Sequence, residues 1–337
     1  MPFASATSIQ VIARKLPIDL EITKRRKKQQ LKWGDTIQVG STTITANEFE
    51  QPYPYCNTMS PENLTLNTLV RQINSNINIF TDGSKMDGKV GCSFVVYDRN
   101  LEIHNQKYRL HNNCTVFQSE LLAILKATEW VNENLPNSNI DIHTDSFSAY
   151  NIINGIKLHP LAVEIRNKIK NSTCAFELSW VRSHHGLMGN ERADSLAKAA
   201  AQDSTIPLIY NKISRITLRR LLLEEAINQW QIKWNENEQC ITYQFIQDLS
   251  NFFKIKWFVP DYYTTQLFTN HGKFASYLAR FTNRASNQCP TCMIEDGARH
   301  YVYNCIMTEI ERTELRQLLQ DSNIDWPCHL SNIWIDH

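Results

Sequence analysis

Two runs of alternating hydrophobicity, INIFTD at 77–82 and IDIHTD at 140–145, each end in an aspartate, and a long helical stretch stands between them. Alternation at a period of two reads as a half-buried strand. Two strands joined through a helix run parallel, and as neighbours they deliver their last residues to the same sheet edge. This pairing constrains the fold more than any other feature. It predicts an α/β domain whose Asp82 and Asp145 lie in the crevice outside the carboxyl ends of the strands, where open sheets of this class bind ligands.

The surrounding sequence completes such a domain. GCSFVVYD and LEIHNQKYRL read as a hairpin turning at Arg99-Asn100, and FELSWV supplies a fifth strand. TVFQSELLAILKATEWVNEN is a strong helix, with apolar residues at Phe117, Leu121, Ile124, Leu125 and Val131. SFSAYNIING and HPLAVEIRNKIKN follow as two shorter helices, and ERADSLAKAAA closes the unit as a third, capped near Asn190. The predicted domain covers residues 76–203. Residues 1–75 divide into a helix broken at Pro17 and a polar linker or extended wrap with Pro52, Pro54 and Pro61. The basic run Lys24–Lys28 in that helix fits a solvated face, a nuclear import signal or a phosphate-binding face. Residues 204–337 read as mainly helical.

Bulk properties narrow the class. Apolar residues make up 42% of the 337 and charged residues 20%, which describes a globular chain and not a disordered one. No run of about 18 or more apolar residues is present, so no membrane span is expected. The start of the chain lacks the apolar stretch of a signal peptide. Nine cysteines, an odd number without a framework, point to a reducing compartment, cytoplasmic or nuclear.

The acids carry the chemistry. Asp82 before Gly83 has an ordinary reading as a turn residue, Asp145 as a helix cap, and Asp194 as a surface residue. Glu120 resists such a reading, because Val116, Phe117, Ala123 and Ile124, one turn away, place it on the apolar face of its helix. A buried carboxylate without a partner costs several kcal/mol or takes up a proton. Four gathered carboxylates repel unless cations neutralise them, and hard divalent ions with oxygen ligands suit that task.

TDGS, SELLAI, HTDS and WVRSHHGLMGNERAD, in this order and spacing, resemble the type 1 ribonuclease H domain over roughly residues 76–201. The resemblance implies a mixed five-stranded sheet with flanking helices. It also implies that Asp82, Glu120, Asp145 and Asp194 hold two Mg²⁺ (or Mn²⁺) ions, roughly 4 Å apart and bridged by Asp82. His184, ten residues before Asp194, matches the family's mobile histidine, a proton carrier, and His185 receives no role. The implied activity is cleavage of the RNA strand of an RNA–DNA hybrid, leaving a 3′ hydroxyl and a 5′ phosphate. The motifs are most similar to those of non-LTR retrotransposon polyproteins. Val116 and Phe117 stand where cellular members carry hybrid-gripping asparagines, and the segment NGIKLHP holds no basic insertion. These departures concern grip on the substrate and not the chemistry. Residues 77–201 hold 13 basic and 13 acidic side chains, so neutralising four acids would leave a mildly positive surface.

Beyond the domain, CPTCMIEDGARHYVYNC at 289–305 has the spacing C-x2-C-x7-H-x4-C. Cys289, Cys292, His300 and Cys305 make a donor set for one structural Zn²⁺. The cluster, with HGKFASYLARF before it, resembles the carboxyl-terminal zinc knuckle of the same polyproteins, and LPIDLEI resembles the segment after the polymerase thumb. The resemblance thus implies a carboxyl-terminal part of such a polyprotein, with a reverse transcriptase as a partner. Trp257, Phe258, Tyr262 and Tyr263 beside Lys254 and Lys256 could stack on single-stranded nucleic acid, but their density favours a place in the core. The competing reading of the whole chain is a catalytically silent, nucleic-acid-binding remnant. Oligomeric state is not readable from the sequence.

Overall fold

The structure, a computed structural model, describes residues 6–51, 53, 75–182, 186–281 and 286–333. Helices α1 (Ala6–Ile12) and α2 (Ile18–Lys32) are separated at Pro17, as the missing amide donor of proline requires. The basic run lies on α2 and is largely paired, Arg25 with Glu21 at 2.9 Å and Lys27 with Glu225 at 2.7 Å. The polar stretch expected to be a linker or an extended wrap begins with a small hairpin, β1 (Ile37–Val39) and β2 (Thr42–Ile44), turning at Gly40 with φ of 56°. Three-residue strands are too short for alternation to register, yet Ile37, Val39, Ile44 and Phe49 are all buried.

The next segment builds the main sheet. It contains β3 (Ile77–Met86), β4 (Lys89–Asp98), β5 (Leu101–Leu110), α3 (Val116–Asn134), β6 (Asn139–Thr144), α4 (Phe147–Asn154), α5 (Pro160–Lys170), β7 (Ala175–Trp180), α6 (Met188–Gln202) and β8 (Leu208–Tyr210). The strand order is β7-β6-β3-β4-β5-β8. β3 and β6 are parallel neighbours, Phe80 opposite His143 and Thr81 opposite Thr144, as their paired aspartates required. The β4–β5 hairpin turns on Arg99 and Asn100, both with positive φ, the backbone of a tight two-residue connection. The expected five strands gain a sixth, β8, which adds parallel to β5. Its three residues carry no period that a sequence reading could detect.

Side-chain alternation assigns the two faces of this sheet. Ile79, Cys92, Phe94, Val96, Ile140 and Ile142 pack with Leu121, Ile124 and Leu125 of α3, forming a continuous core. On the other face α6 seats closely because small residues allow it. A Cβ on Gly91 would stand 2.6 Å from the Ala197 carbonyl oxygen, and one on Gly189 would strike the Phe80 ring. Ser93 Oγ donates to the Ala193 carbonyl oxygen at 2.7 Å. This contact fixes the turn of α6 that carries Asp194.

The remainder is helical: α7 (Arg215–Trp234), α8 (Ile241–Phe245), α9 (Leu249–Lys254), α10 (Tyr262–Thr269), α11 (Ala275–Phe281), α12 (Ala298–Tyr303) and α13 (Glu309–Asp321). Two compact units result, Gln30–Arg220 and Met1–Gln29 with Leu221–His337. The second has its own core, centred on Trp230, Trp234, Phe245, Phe252 and Phe268, in which Trp234 Nε1 donates to the Ile246 carbonyl oxygen at 2.7 Å. Of the four aromatics expected there only Phe258 is buried. Trp257, Tyr262 and Tyr263 are exposed, because they sit in a loop and the first turn of α10, whose outward positions face water. No described helix is long and apolar enough to cross a membrane.

Candidate active site

Three of the sequence-predicted acids meet. One carboxylate oxygen from each of Asp82, Glu120 and Asp145 lies within 4.8 Å of the other two. Asp82, expected to end its strand, comes from the middle of β3, because pairing with β4 carries the strand on to Met86; Asp145 follows the last residue of β6, and Glu120 lies in the second turn of α3. The start of that helix is fixed by a capping box, with Gln118 N donating to Thr115 Oγ1 and Thr115 N donating to Gln118 Oε1. β3 runs against this turn with no side chain between, since a Cβ on Gly83 would stand 2.5 Å from both Glu120 N and Ser119 Oγ.

The electrostatics of this centre are those of unneutralised acids. Asp82 and Glu120 are 6% and 7% exposed, and Asp82 Oδ2 and Glu120 Oε2 are buried without a hydrogen-bond partner. Burial, followed by the charges of Asp145 and Asp194, pushes the Asp82 carboxyl up to about 7. The same causes, burial first and then Asp82 and Asp145, hold Glu120 well above the usual carboxylate range. Orphaned buried carboxylate oxygens converging on one point suit a hard divalent cation. Asp145 is oriented from two sides: Asn190 Nδ2 donates to its Oδ2 at 3.2 Å and Trp180 Nε1 to its carbonyl oxygen at 3.1 Å.

Asp194 is placed differently from the other three. Its Oδ2 accepts from Lys198 Nζ at 2.7 Å, one turn along α6, although its charge still reaches Asp82 and Glu120. His184 and His185 lie outside the described residues. The glycine turn beside them shows Gly186 at φ of 76°, a left-handed backbone that glycine adopts freely.

Two features escaped the sequence reading. Asn190, expected near the cap of α6, lies inside its first turn and is 5% exposed, while Leu187 is the cap. Its position four residues before Asp194, on the same helix face, was the available signal. The second is a buried polar cluster around Glu50, which accepts from Gln118 Nε2 at 2.9 Å and Tyr210 Oη at 3.0 Å, with His159 Nε2 at 3.4 Å. Glu50 reaches this place because its amide donates to the Ile213 carbonyl oxygen, which draws the chain before the sheet onto the edge of the unit. No local pattern foretells a contact between residues so distant in sequence.

The helical unit holds a second donor cluster. Ligand atoms of Cys289, Cys292, His300 and Cys305 lie within 4.8 Å of one another, with Cys292 Sγ 4.0 Å from Cys305 Sγ. The two-residue gap is closed by a tight turn, Met293 N donating to the Cys289 carbonyl oxygen at 2.9 Å and Met293 adopting φ of 59°. Both ring nitrogens of His300 are buried without a hydrogen-bond partner. Backbone donors, that of Cys292 foremost, lower the Cys289 thiol to about 7, whereas burial lifts Cys305 to about 11. Three sulfurs and an unengaged imidazole converging in this way fit a tetrahedral zinc ion.

Residues 74–202 match the sequence model of the family described as RNase H. A segment of 86 residues, 25% of the chain, is 29% identical to a retrovirus-related Pol polyprotein from the type-1 retrotransposable element R1 4 of Nasonia vitripennis. The match spans 22% of the length of that curated relative. Among solved structures, the chain is similar to RNase H1 from the halophilic archaeon Halobacterium salinarum NRC-1, at 19% identity and a TM-score of 0.32. That likeness covers 37% of this chain and 96% of the other. A similar likeness, at 18% identity, a TM-score of 0.33 and the same coverage of each chain, is found to LC11-RNase H1 in complex with an RNA/DNA hybrid.

Proposed function

We propose that the chain hydrolyses the RNA strand of RNA–DNA hybrids at the centre formed by Asp82, Glu120 and Asp145, as part of a retrotransposon-derived protein. The observation that carries this reading is the convergence of three carboxylates, two with orphaned buried oxygens, from β3, α3 and the end of β6 in a segment that matches the RNase H family. Two Mg²⁺ or Mn²⁺ ions held there would lower the pKa of a water and offset the charge that develops on the scissile phosphate.

The chain's own residues set up that reaction. Asp82, close to both Glu120 and Asp145, would hold metal together with them. Asn190 holds the Asp145 carboxylate in one orientation, so that its free oxygen points in a fixed direction. Asp194 would join the centre by exchanging Lys198 for a metal. His184 would carry a proton to or from the reacting oxygens, a role for which its ordinary pKa near neutrality is suited. Cleavage that leaves a 3′ hydroxyl on one fragment and a 5′ phosphate on the other needs a proton removed from the attacking water and one delivered to the leaving 3′ oxygen. Discrimination of RNA from DNA would rest on contacts to the 2′ hydroxyl. Cys289, Cys292, His300 and Cys305 would hold one structural Zn²⁺, and a reverse transcriptase would supply the hybrid.

The test is cleavage of an end-labelled hybrid with Mg²⁺ by the full chain, its Asp82→Asn variant and a chelator-treated control. Cutting confined to the RNA strand and lost in both controls is the expected result. A folded chain that binds the hybrid and cuts neither strand would instead be the silent remnant.

A further inference from the structure

We infer that the helical unit carries a separate binding site for single-stranded nucleic acid, built on Trp257, Tyr262 and Tyr263; it goes beyond the hybrid-cleaving centre and does not depend on it. The three side chains are 55%, 65% and 77% exposed, within a stretch of seven residues. They are not loosely held. Phe258, between them in sequence and only 7% exposed, packs against Phe252 and Phe268 with ring centroids 5.4 Å and 5.7 Å away, which pins the loop. The start of α10 is fixed by a capping box, Thr264 N donating to Asp261 Oδ1 at 2.7 Å. The tyrosine rings therefore stand out from a rigid first turn, 5.3 Å apart and nearly perpendicular.

Two cavities run along this helix. One, of about 440 Å³, is lined by Trp257, Phe258 and Leu267, and the other, of about 400 Å³, by Tyr262, Tyr263 and Lys273. Both are lined by Thr264, Leu267 and Tyr301, so they adjoin in one furrowed surface. Exposed Lys254 and Lys256 precede Trp257 in the chain, exposed Lys273 stands in the wall of the second cavity, and Glu311 and Arg312 line the first. Against these three cations the stretch from Lys254 to Lys273 contains one acid, Asp261, which is engaged as the helix cap.

Three exposed rings with lysines before and after them in the chain suit a strand whose bases are unpaired. A duplex covers the faces of its bases, whereas a single strand offers each face for stacking while its phosphates meet the lysines. A purely apolar partner would leave the lysines unexplained. The chemistry is shared by single-stranded RNA and DNA.

The experiment is fluorescence anisotropy of labelled dT12 and rU12 with the full, zinc-loaded chain carrying Asp82→Asn. Binding of the single strands is expected, with log K falling against log salt at a slope near −2 if three phosphates are contacted at about −0.7 each. Tyr263→Ala and Trp257→Ala should each weaken binding roughly fivefold to a hundredfold, the range for removing one stacked base, while Tyr263→Phe retains it. Equal losses for dT12 and rU12 would place recognition in the bases and phosphates, and a loss confined to one would assign the furrow to that strand alone. The inference is overturned if the folded chain binds neither oligonucleotide, or if both alanine variants bind within twofold of the parent. The readout requires no cleavage, so an inactive nuclease centre would leave it intact.

Discussion

Gly83 and Glu120 lie in backbone contact: a methyl group on Gly83 would stand 2.5 Å from Glu120 N. The nearest atoms are the Ser119 hydroxyl and helix backbone, and the backbone cannot rotate away. Gly83→Ala should therefore push α3 off the sheet, separating Glu120 from Asp82. Overpacking of this kind costs about 1–3 kcal/mol. Displacement by about 1 Å at a reacting centre can cost on the order of 100-fold in rate. Urea unfolding and single-turnover cleavage would show both effects, and a variant unchanged in each would refute this account of the glycine.

That contact also shows what a sequence can and cannot display. The alternation in 77–82 and 140–145, and Glu120 on an apolar helix face, were visible because period and burial are local properties. They located the three acids that meet. The Lys198 pairing of Asp194 was equally local, at i and i+4, but whether a helical acid turns to its own helix or to the sheet is decided by packing. Glu50 was out of reach, since its partners Gln118, His159 and Tyr210 come from segments 68, 109 and 160 positions away. The exposed rings at Trp257, Tyr262 and Tyr263 were assigned to the core because density of aromatics says nothing of which way each one faces.

Mg²⁺ should stabilise the chain without any substrate. A ligand that binds only the folded state adds RT ln(1 + [L]/Kd), about 1.4 kcal/mol at tenfold Kd. Thermal unfolding with and without Mg²⁺ should show this rise in the wild type, and its loss in Asp82→Asn and Glu120→Gln. Without added divalent ion the sign reverses. The Asp82 carboxyl is raised to about 7, so the folded chain binds that proton more tightly than the unfolded one. Stability then declines as pH climbs from the ordinary carboxylate range toward 7, and Asp82→Asn should remove the decline.

Lys198 should compete with metal for Asp194. Their ion pair at 2.7 Å is partly exposed, 46% for the lysine and 29% for the aspartate, and pairs of this kind contribute about 0–1 kcal/mol. Lys198→Ala should leave stability nearly unchanged while lowering the Mg²⁺ concentration for half-maximal cleavage by roughly two- to fivefold, as removal of a weak competing pair permits. A higher Mg²⁺ requirement in the variant would show that the lysine supports the centre instead of blocking it.

The Glu50 cluster predicts an acid-side loss of stability. Burial alone would raise this carboxyl, but His159, Gln118 and Tyr210 together hold it below its usual value. A depressed carboxyl stabilises the fold above its unfolded pKa, and the benefit disappears as pH falls through the folded one. At pH 7 Glu50→Gln should cost about 1.5–3 kcal/mol, the range for hydrogen bonds to a buried charge. The gap between variant and wild type should narrow as pH falls from the ordinary carboxylate range through the depressed pKa of the folded carboxyl. A gap constant from pH 7 to 3 would mean that the carboxylate charge contributes nothing.

Zinc should be a folding ligand for the segment 289–305. The four donors surround a point at which they satisfy little of one another, with both His300 nitrogens unpartnered. Metal would replace that deficit, and structural zinc in small knuckles supplies about 10–16 kcal/mol of apparent binding free energy near pH 7. Purified chain should contain one zinc by elemental analysis, Cys292→Ser should contain none, and Cys328→Ser, outside the cluster, should keep it. Binding must also release protons, because Cys305 is raised to about 11 and Cys289 sits at about 7. Affinity measured by competition should therefore fall from pH 8 to pH 6. A folded chain that excludes zinc at pH 8, or binds it equally at both values, would show that the thiols are not its ligands.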